Sequence, residues 1–241
     1  MEPVFSAFVT LFVVVDPIGV AAVFAAFTHG TPADYARRMA FKGALLALII
    51  LIVFFFVGER LLALLGIGID AFRAAGGALL FLLAVEMVFA RQSGLRSTTS
   101  EEQHEAEHKA DISVFPLAFP LLAGPGALTT VILMSASAAG LAVEADMLAV
   151  VVAVMAIAFL ALILAPQLMR VLGETGANVI GRVLGLILAA LAVQYVFDGV
   201  RGGLGLGSIP VNEWLRQLPG SGFAIRSQDP CGWIYRFSSY V

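Results

Sequence analysis

The sequence predicts an all-α integral membrane protein. Six transmembrane helices form two inverted three-helix repeats, with spans one and four broken near the midplane. Three observations carry that prediction. Six apolar stretches are long enough to cross a bilayer, which takes about 20 residues each. The second half of the chain repeats the first at a constant offset. A proline occupies the same repeat position in the first and fourth spans.

Composition sets the class. Of 241 residues, 60% are hydrophobic and 13% charged, and the mean hydropathy is +0.97. Soluble domains carry about 25% charged residues, so this chain has roughly half the usual charge. The net charge of −3 is small, and no basic patch points to nucleic acid. The single cysteine, Cys231, excludes an internal disulfide and any C-x-x-C motif. Met1 to Phe27 lacks a basic start and carries Asp16 within its apolar run, so it reads as a retained first span rather than a signal peptide.

The spans run approximately Val4–Phe27, Phe41–Leu65, Ala71–Phe89, Val114–Ala138, Met147–Leu168 and Val179–Phe197. They are continuously apolar and lack the alternation of outer-membrane strands, so helices are expected. The six-span domain covers about 1–200. It divides into repeat one (4–90), an acidic loop (91–112) and repeat two (113–198). A tail, 201–241, carries Gly, Pro and aromatic residues and no span-length apolar run, and reads as disordered or interfacial. Arg37, Arg38 and Lys42 in the first loop, Arg91, Arg96 and Lys109 in the third, and Arg170 and Arg182 in the fifth outnumber the basic residues of the even loops. By the positive-inside rule the odd loops are cytoplasmic and both termini face outward.

The repeat appears at a shift of 124 − 16 = 108. Pro17 falls on Pro125, Gly77 on Gly185, Leu80 on Leu188 and Leu83 on Leu191. The run Ala84-Val85 falls on Ala192-Val193, and Val88-Phe89 on Val196-Phe197. Each repeat holds three spans. Three is odd, so the second repeat enters from the opposite side, as in secondary transporters whose substrate site lies near the midplane. Simple helix duplication in a structural membrane protein is the alternative.

The breaks carry the candidate site. The first span reads LFVVVDPIGVAAVF (11–24) and the fourth FPLAFPLLAGPGALTTV (115–131). Proline removes an N–H and clashes with the preceding turn, at a cost of ~3 kcal/mol in a helix interior. The residue before it, Asp16 or Gly124, is driven out of helical geometry. A new helix can then start, since Asp is a favoured N-cap, Gly a tolerated one, and Pro suits the first helical position. Two half-helix N-termini offer N–H groups and positive dipole ends to an anion. A zwitterion would set its carboxylate there and its ammonium near Asp16. The candidate substrate-binding residues are therefore Asp16, Pro17, Ile18, Gly19, Gly124, Pro125, Gly126, Ala127, Thr129 and Thr130. Asp16 and Glu86 are the proton-coupling candidates, because a carboxyl group inside the membrane is costly to keep charged. Each has a plainer alternative. Asp16 could serve only as a cap, and Glu86 could cap or snorkel. The glycines could serve helix packing, and the threonines could bond back to their own helix.

One motif points elsewhere. His104-Glu105-Ala106-Glu107-His108 fits the zinc-protease pattern H-E-x-x-H. It lies in a loop polar on all sides, with His29 the one other histidine in the chain. It reads as a solvated acidic linker, so no metal, cofactor or enzymatic activity is expected.

DPIG (16–19) and PLLAGPGALTT (120–130), within six spans, resemble the MarC family of bacterial and archaeal inner-membrane proteins. The loop ending Lys109-Ala110-Asp111 before VFPLA (114–118) looks like that family too. This family is also described as a neutral amino acid transporter family related to LysE-type exporters. The resemblance covers roughly Val4 to Gly199. It implies a proton-coupled transporter of small neutral amino acids such as glycine or alanine in the cytoplasmic membrane. An exporter of another small polar compound or drug, a non-transporting membrane protein and an H-E-x-x-H metalloprotease are the rival readings. The partners expected are a small-molecule substrate, protons and the lipid bilayer. The sequence is compatible with a homo-oligomer and fixes none.

Overall fold

The first span begins as α1 (Glu2–Val15) and resumes as α2 (Pro17–Phe27) after one non-helical residue, Asp16. These come from a computed structural model that describes residues 2–89, 112–138 and 140–205. Asp16 takes a left-handed conformation, φ 46° and ψ 71°. The chain direction survives, because the Asp16 N–H still donates to Phe12 O (2.9 Å) and the Val20 N–H to Asp16 O (3.0 Å). A turn through Gly30 (φ 78°) leads to α3 (Ala33–Leu64). The end of α3 follows from Gly66 (φ 70°). The Ile67 N–H reaches Leu62 O (2.9 Å) and the Gly66 N–H reaches Ala63 O (3.1 Å), which satisfies the last carbonyls. The third span is α4 (Ile69–Phe89).

The fourth span departs furthest from regular helix. Its first part, α5 (Ser113–Leu122), is an irregular helical segment kinked at Pro116 and Pro120. The Leu117 N–H donates to Ile112 O and the Ala123 N–H to Ala118 O, five residues back. Phe115 and Phe119 are extended (φ −133°, ψ 128°), as residues before proline tend to be. Helix α6 (Pro125–Ser137) follows at a 58° bend. Then come α7 (Leu141–Ile163) and α8 (Ala165–Gly203), which bends at Gly173 (φ 63°).

The predicted all-helical class and the two breaks are present, and the described residues contain no strand. Five segments are long and apolar enough to cross a membrane, and α5 with α6 make a sixth if they form one span. Some edges differ from the sequence reading. The fifth span ends at Ile163 rather than near Leu168, because Pro166 starts a new helix. The sixth begins near Thr175, past the Gly173 bend, and runs on to Gly203. The H-E-x-x-H stretch and residues 206–241 lie outside the described residues.

The core lies where the breaks are. α3 buries Ala40, Gly43, Ala44, Ala47, Leu51, Phe55, Gly58 and Leu62, one helical face at steps of three and four. Its opposite face exposes Phe41, Leu45, Ile49, Val53 and Phe56, an apolar surface suited to lipid. Gly43 meets Leu117 of α5, and Gly58 meets Ile132 of α6.

The most extensive helix pair is α4 with α8. The two run antiparallel: Gly199 abuts Asp70 and Ala74, Gly77 abuts Ala192 and Val196, and Gly185 abuts Ala84 and Val88. A Cβ at Gly77 would lie 2.8 Å from both Ala192 O and Val196 N. Those are backbone atoms, so the helices would have to part. Gly77→Ala is therefore expected to destabilise the protein by ~1–3 kcal/mol. Gly181, in the same α8, has nothing within 4 Å of such a Cβ. Gly181→Ala is expected to leave stability unchanged or raise it by up to ~1 kcal/mol, the helix-propensity gain. Thermal melts in one detergent decide; equal melting of the two variants contradicts this account.

Candidate functional site

Asp16 stands halfway along Val4–Phe27 and Pro125 halfway along 113–137. Asp16 is 4% exposed. Its Oδ1 accepts the Gly19 N–H at 3.1 Å, so it caps α2, and Pro17 fills the first helical position. Gly19 is needed for this, because a Cβ there would collide with the Asp16 carboxylate. The positive end of α2 also favours the negative side chain. Pro17 is buried and Ile18 half-buried.

The second break has no such cap. Gly124 is extended (φ −74°, ψ 173°) and offers no side chain to the first turn of α6. The Leu128 N–H is the first to close on the helix, donating to Gly124 O at 3.0 Å. By helix geometry the Gly126 and Ala127 N–H groups have no intrahelical acceptor. These residues line a cavity of about 30 Å³, enough for a single water. Its walls are Val14 of α1, Leu79 and Leu83 of α4, Pro120 and Leu121 of α5, and residues 124–127.

The candidate residues thus fall into separate groups. Gly124, Pro125, Gly126 and Ala127 share the cavity, while the Asp16–Gly19 stretch is not among its walls. Val14, two residues before Asp16, reaches the cavity and packs on Gly126. Thr129 packs against Gly76 of α4. Thr130 is fully buried and its hydroxyl donates back to Gly126 O at 2.9 Å. Glu86 is buried in α4. Its repeat equivalent, Gln194, donates to Asp198 Oδ1 at 2.8 Å. The sequence reading missed the cavity walls Val14, Leu79, Leu83, Pro120 and Leu121. They are ordinary apolar residues, inside the quoted motifs or the repeat but with no chemistry to mark them as site residues.

The Asp16 geometry makes a three-variant prediction. Asparagine keeps the Oδ1 acceptor and tolerates the left-handed backbone, so Asp16→Asn should fold within ~0.5 kcal/mol of the parent. Asp16→Ala loses the cap and strains the backbone, at a cost of ~1–3 kcal/mol. Asp16→Gly relaxes the backbone while losing the cap, so it should fall between them. Melting temperatures in detergent check the order; Ala matching Asn contradicts the cap.

Three relatives illustrate what the chain is similar to. The UPF0056 membrane protein YvbG of Bacillus subtilis is 38% identical over 195 residues, 81% of this chain and 92% of that one. The UPF0056 membrane protein YhcE of Escherichia coli is 35% identical over 199 residues, 82% and 92% of the two chains. A UPF0056 membrane protein of Archaeoglobus fulgidus is 33% identical over 197 residues, 81% and 91% of the two. No solved structure matches the chain. Residues 1–204 match the family described as MarC family integral membrane protein. With its broken apolar helices and that match over most of its length, the chain belongs to the MarC family of integral membrane proteins.

Proposed function

We propose that this protein is a secondary transporter of small neutral amino acids or similar small metabolites. It is coupled to protons and works by alternating access around the two half-helix N-termini. It resides in the cytoplasmic membrane with both termini outside.

One observation carries the reading: packing contacts recur when the two halves are exchanged. Gly77 abuts Ala192 and Val196, while Gly185 abuts Ala84 and Val88. Helix starts obey the same offset, Pro17 with Pro125 and Ala33 with Leu141 (125 − 17 = 141 − 33 = 108). Contacts that interchange in this way are the mark of two-fold pairing. Because α4 and α8 run antiparallel, the exchange turns one repeat over relative to the other. That supports the inverted-repeat arrangement, in which broken helices hold the substrate and one repeat moves against the other.

The chemistry at the breaks supports the substrate class. The Gly126 and Ala127 N–H groups at the uncapped start of α6 suit a carboxylate. The buried Asp16 carboxylate suits an ammonium or a proton.

Uptake of radiolabelled glycine and alanine into proteoliposomes, with and without an imposed pH gradient, tests the proposal. Flux should follow the gradient, and Asp16→Asn should cut it by at least ~10-fold, the scale of losing one charged contact. Flux that ignores the gradient removes the coupling. Equal flux in the variant reduces Asp16 to a helix cap. No flux with folded protein contradicts the substrate class.

A further inference from the structure

Among the described residues two carboxyl groups are buried within the spans, Asp16 (4% exposed) and Glu86 (9%). Both belong to the first repeat. The repeat offset turns Asp16 into Gly124 and Glu86 into Gln194, so the second repeat carries no charge at either place. Their settings differ. Asp16 stands at a helix start, where its Oδ1 accepts the Gly19 N–H and the positive end of α2 faces its charge. Glu86 stands near the Phe89 end of α4. A carboxylate only accepts hydrogen bonds, and the carbonyls at that end of a helix need donors, so it caps nothing there. Nor does it snorkel, because a snorkelling side chain carries its charge out to water and Glu86 is buried. Leu79, Leu83 and Glu86 follow at steps of four and three along one face of α4. Leu79 and Leu83 are cavity walls, so Glu86 comes one turn after the cavity, a rise of about 4.5 Å past Leu83. It thus lies between the cavity and the end of the span. The described helices bring few charges to it. α6, packed on α4, carries no titratable residue, and neither does α5. α8 offers Arg182, one turn from the Gly185 that abuts Ala84, Met87 and Val88, and Arg182 is exposed. α3 carries Lys42 beside Gly43, which meets Ser113 and Leu117 of α5, and Lys42 is exposed too.

We infer that Glu86 carries the coupling proton, while Asp16 keeps its charge for the α2 cap and the substrate's ammonium. The inference deepens the transporter reading and rests on it. Ionisable side chains inside membrane spans are costly to keep charged, and they mark ion paths and proton relays. The Glu86 carboxylate takes a proton from the water on the side to which the site is open and becomes neutral. Once the repeats have rocked to the other side, it releases that proton there. The two forms differ by one charge in an apolar interior, and that difference ties proton binding to movement of the repeat that holds it. Glu86 need not touch the substrate, since a turn of α4 separates it from the cavity walls.

Two modes of flux in proteoliposomes separate coupling from substrate binding. One is uptake of radiolabelled alanine driven by an imposed pH gradient. The other is exchange of labelled for unlabelled alanine without a gradient, which needs the substrate site but no net proton movement. Glu86→Gln, which copies the Gln194 of the second repeat, should bring gradient-driven uptake down to its level without a gradient and keep exchange. Asp16→Asn should lower both. Gradient-driven uptake retained by Glu86→Gln overturns the inference, and so does loss of exchange in a folded variant. A second measurement uses the unaltered protein and needs no substrate. Dicyclohexylcarbodiimide adds to protonated carboxyl groups in apolar surroundings. Mass spectrometry should find the adduct on Glu86 and not on Asp16, with less of it as the pH rises. An adduct on Asp16, or none on Glu86, overturns the inference. The Glu86 adduct without alanine flux in either mode would sink the substrate class and keep Glu86 as the proton site.

Discussion

Close backbone contact between α4 and α8 is the constraint on which the rest depends. Lipid tails are as apolar as leucine, so helices in a bilayer gain little by hiding apolar surface from them. They associate through tight packing and small residues. Gly77, Gly185 and Gly199 bring backbone against backbone along this pair. With α4 and α8 fixed, α6 packs on α4 through Thr129 and Gly76, and α2 packs on α8. The two interrupted spans thus pack on that antiparallel pair and on each other, α1 meeting α6 where Val14 lies on Gly126.

That frame explains why broken helices are tolerated. An interrupted backbone inside a membrane survives only where protein or a cavity surrounds it. At the first break Asp16 and Pro17 are buried; at the second Gly124 is buried beside a cavity and Pro125 is exposed. The same dipeptide position gives two outcomes because its surroundings differ. At the first break, aspartate supplies its own cap and the helix resumes in line. At the second, glycine supplies none, and α5 is already kinked at Pro116 and Pro120. The 58° bend follows from that sum of local choices.

Much of this was legible in the sequence. Long apolar runs announce spans, and Asp-Pro and Gly-Pro announce helix starts, because the physics is local and strong. The small-residue pairing was visible as Gly77 and Gly185 in the repeat. Other features were hidden for physical reasons. Pro166 reads as part of an apolar run, yet it starts a new helix. The kinked course of α5 at Pro116 and Pro120 leaves no trace in the apolar pattern. The cavity walls Leu79 and Leu83 look like any lipid-facing leucine.

The account stands or falls on whether the halves cross the membrane in opposite senses. A fourth segment that turned back to the side it came from would start α7 on the same side as α3 and set α4 and α8 parallel, against their antiparallel packing. Ala33 and Leu141 open α3 and α7, and both are exposed. The decisive measurement is the sidedness of single cysteines at these two positions, read with an impermeant thiol reagent in oriented vesicles. Labelling from opposite sides is the result the account predicts. Labelling from the same side would make the fourth segment re-entrant and contradict the inverted arrangement.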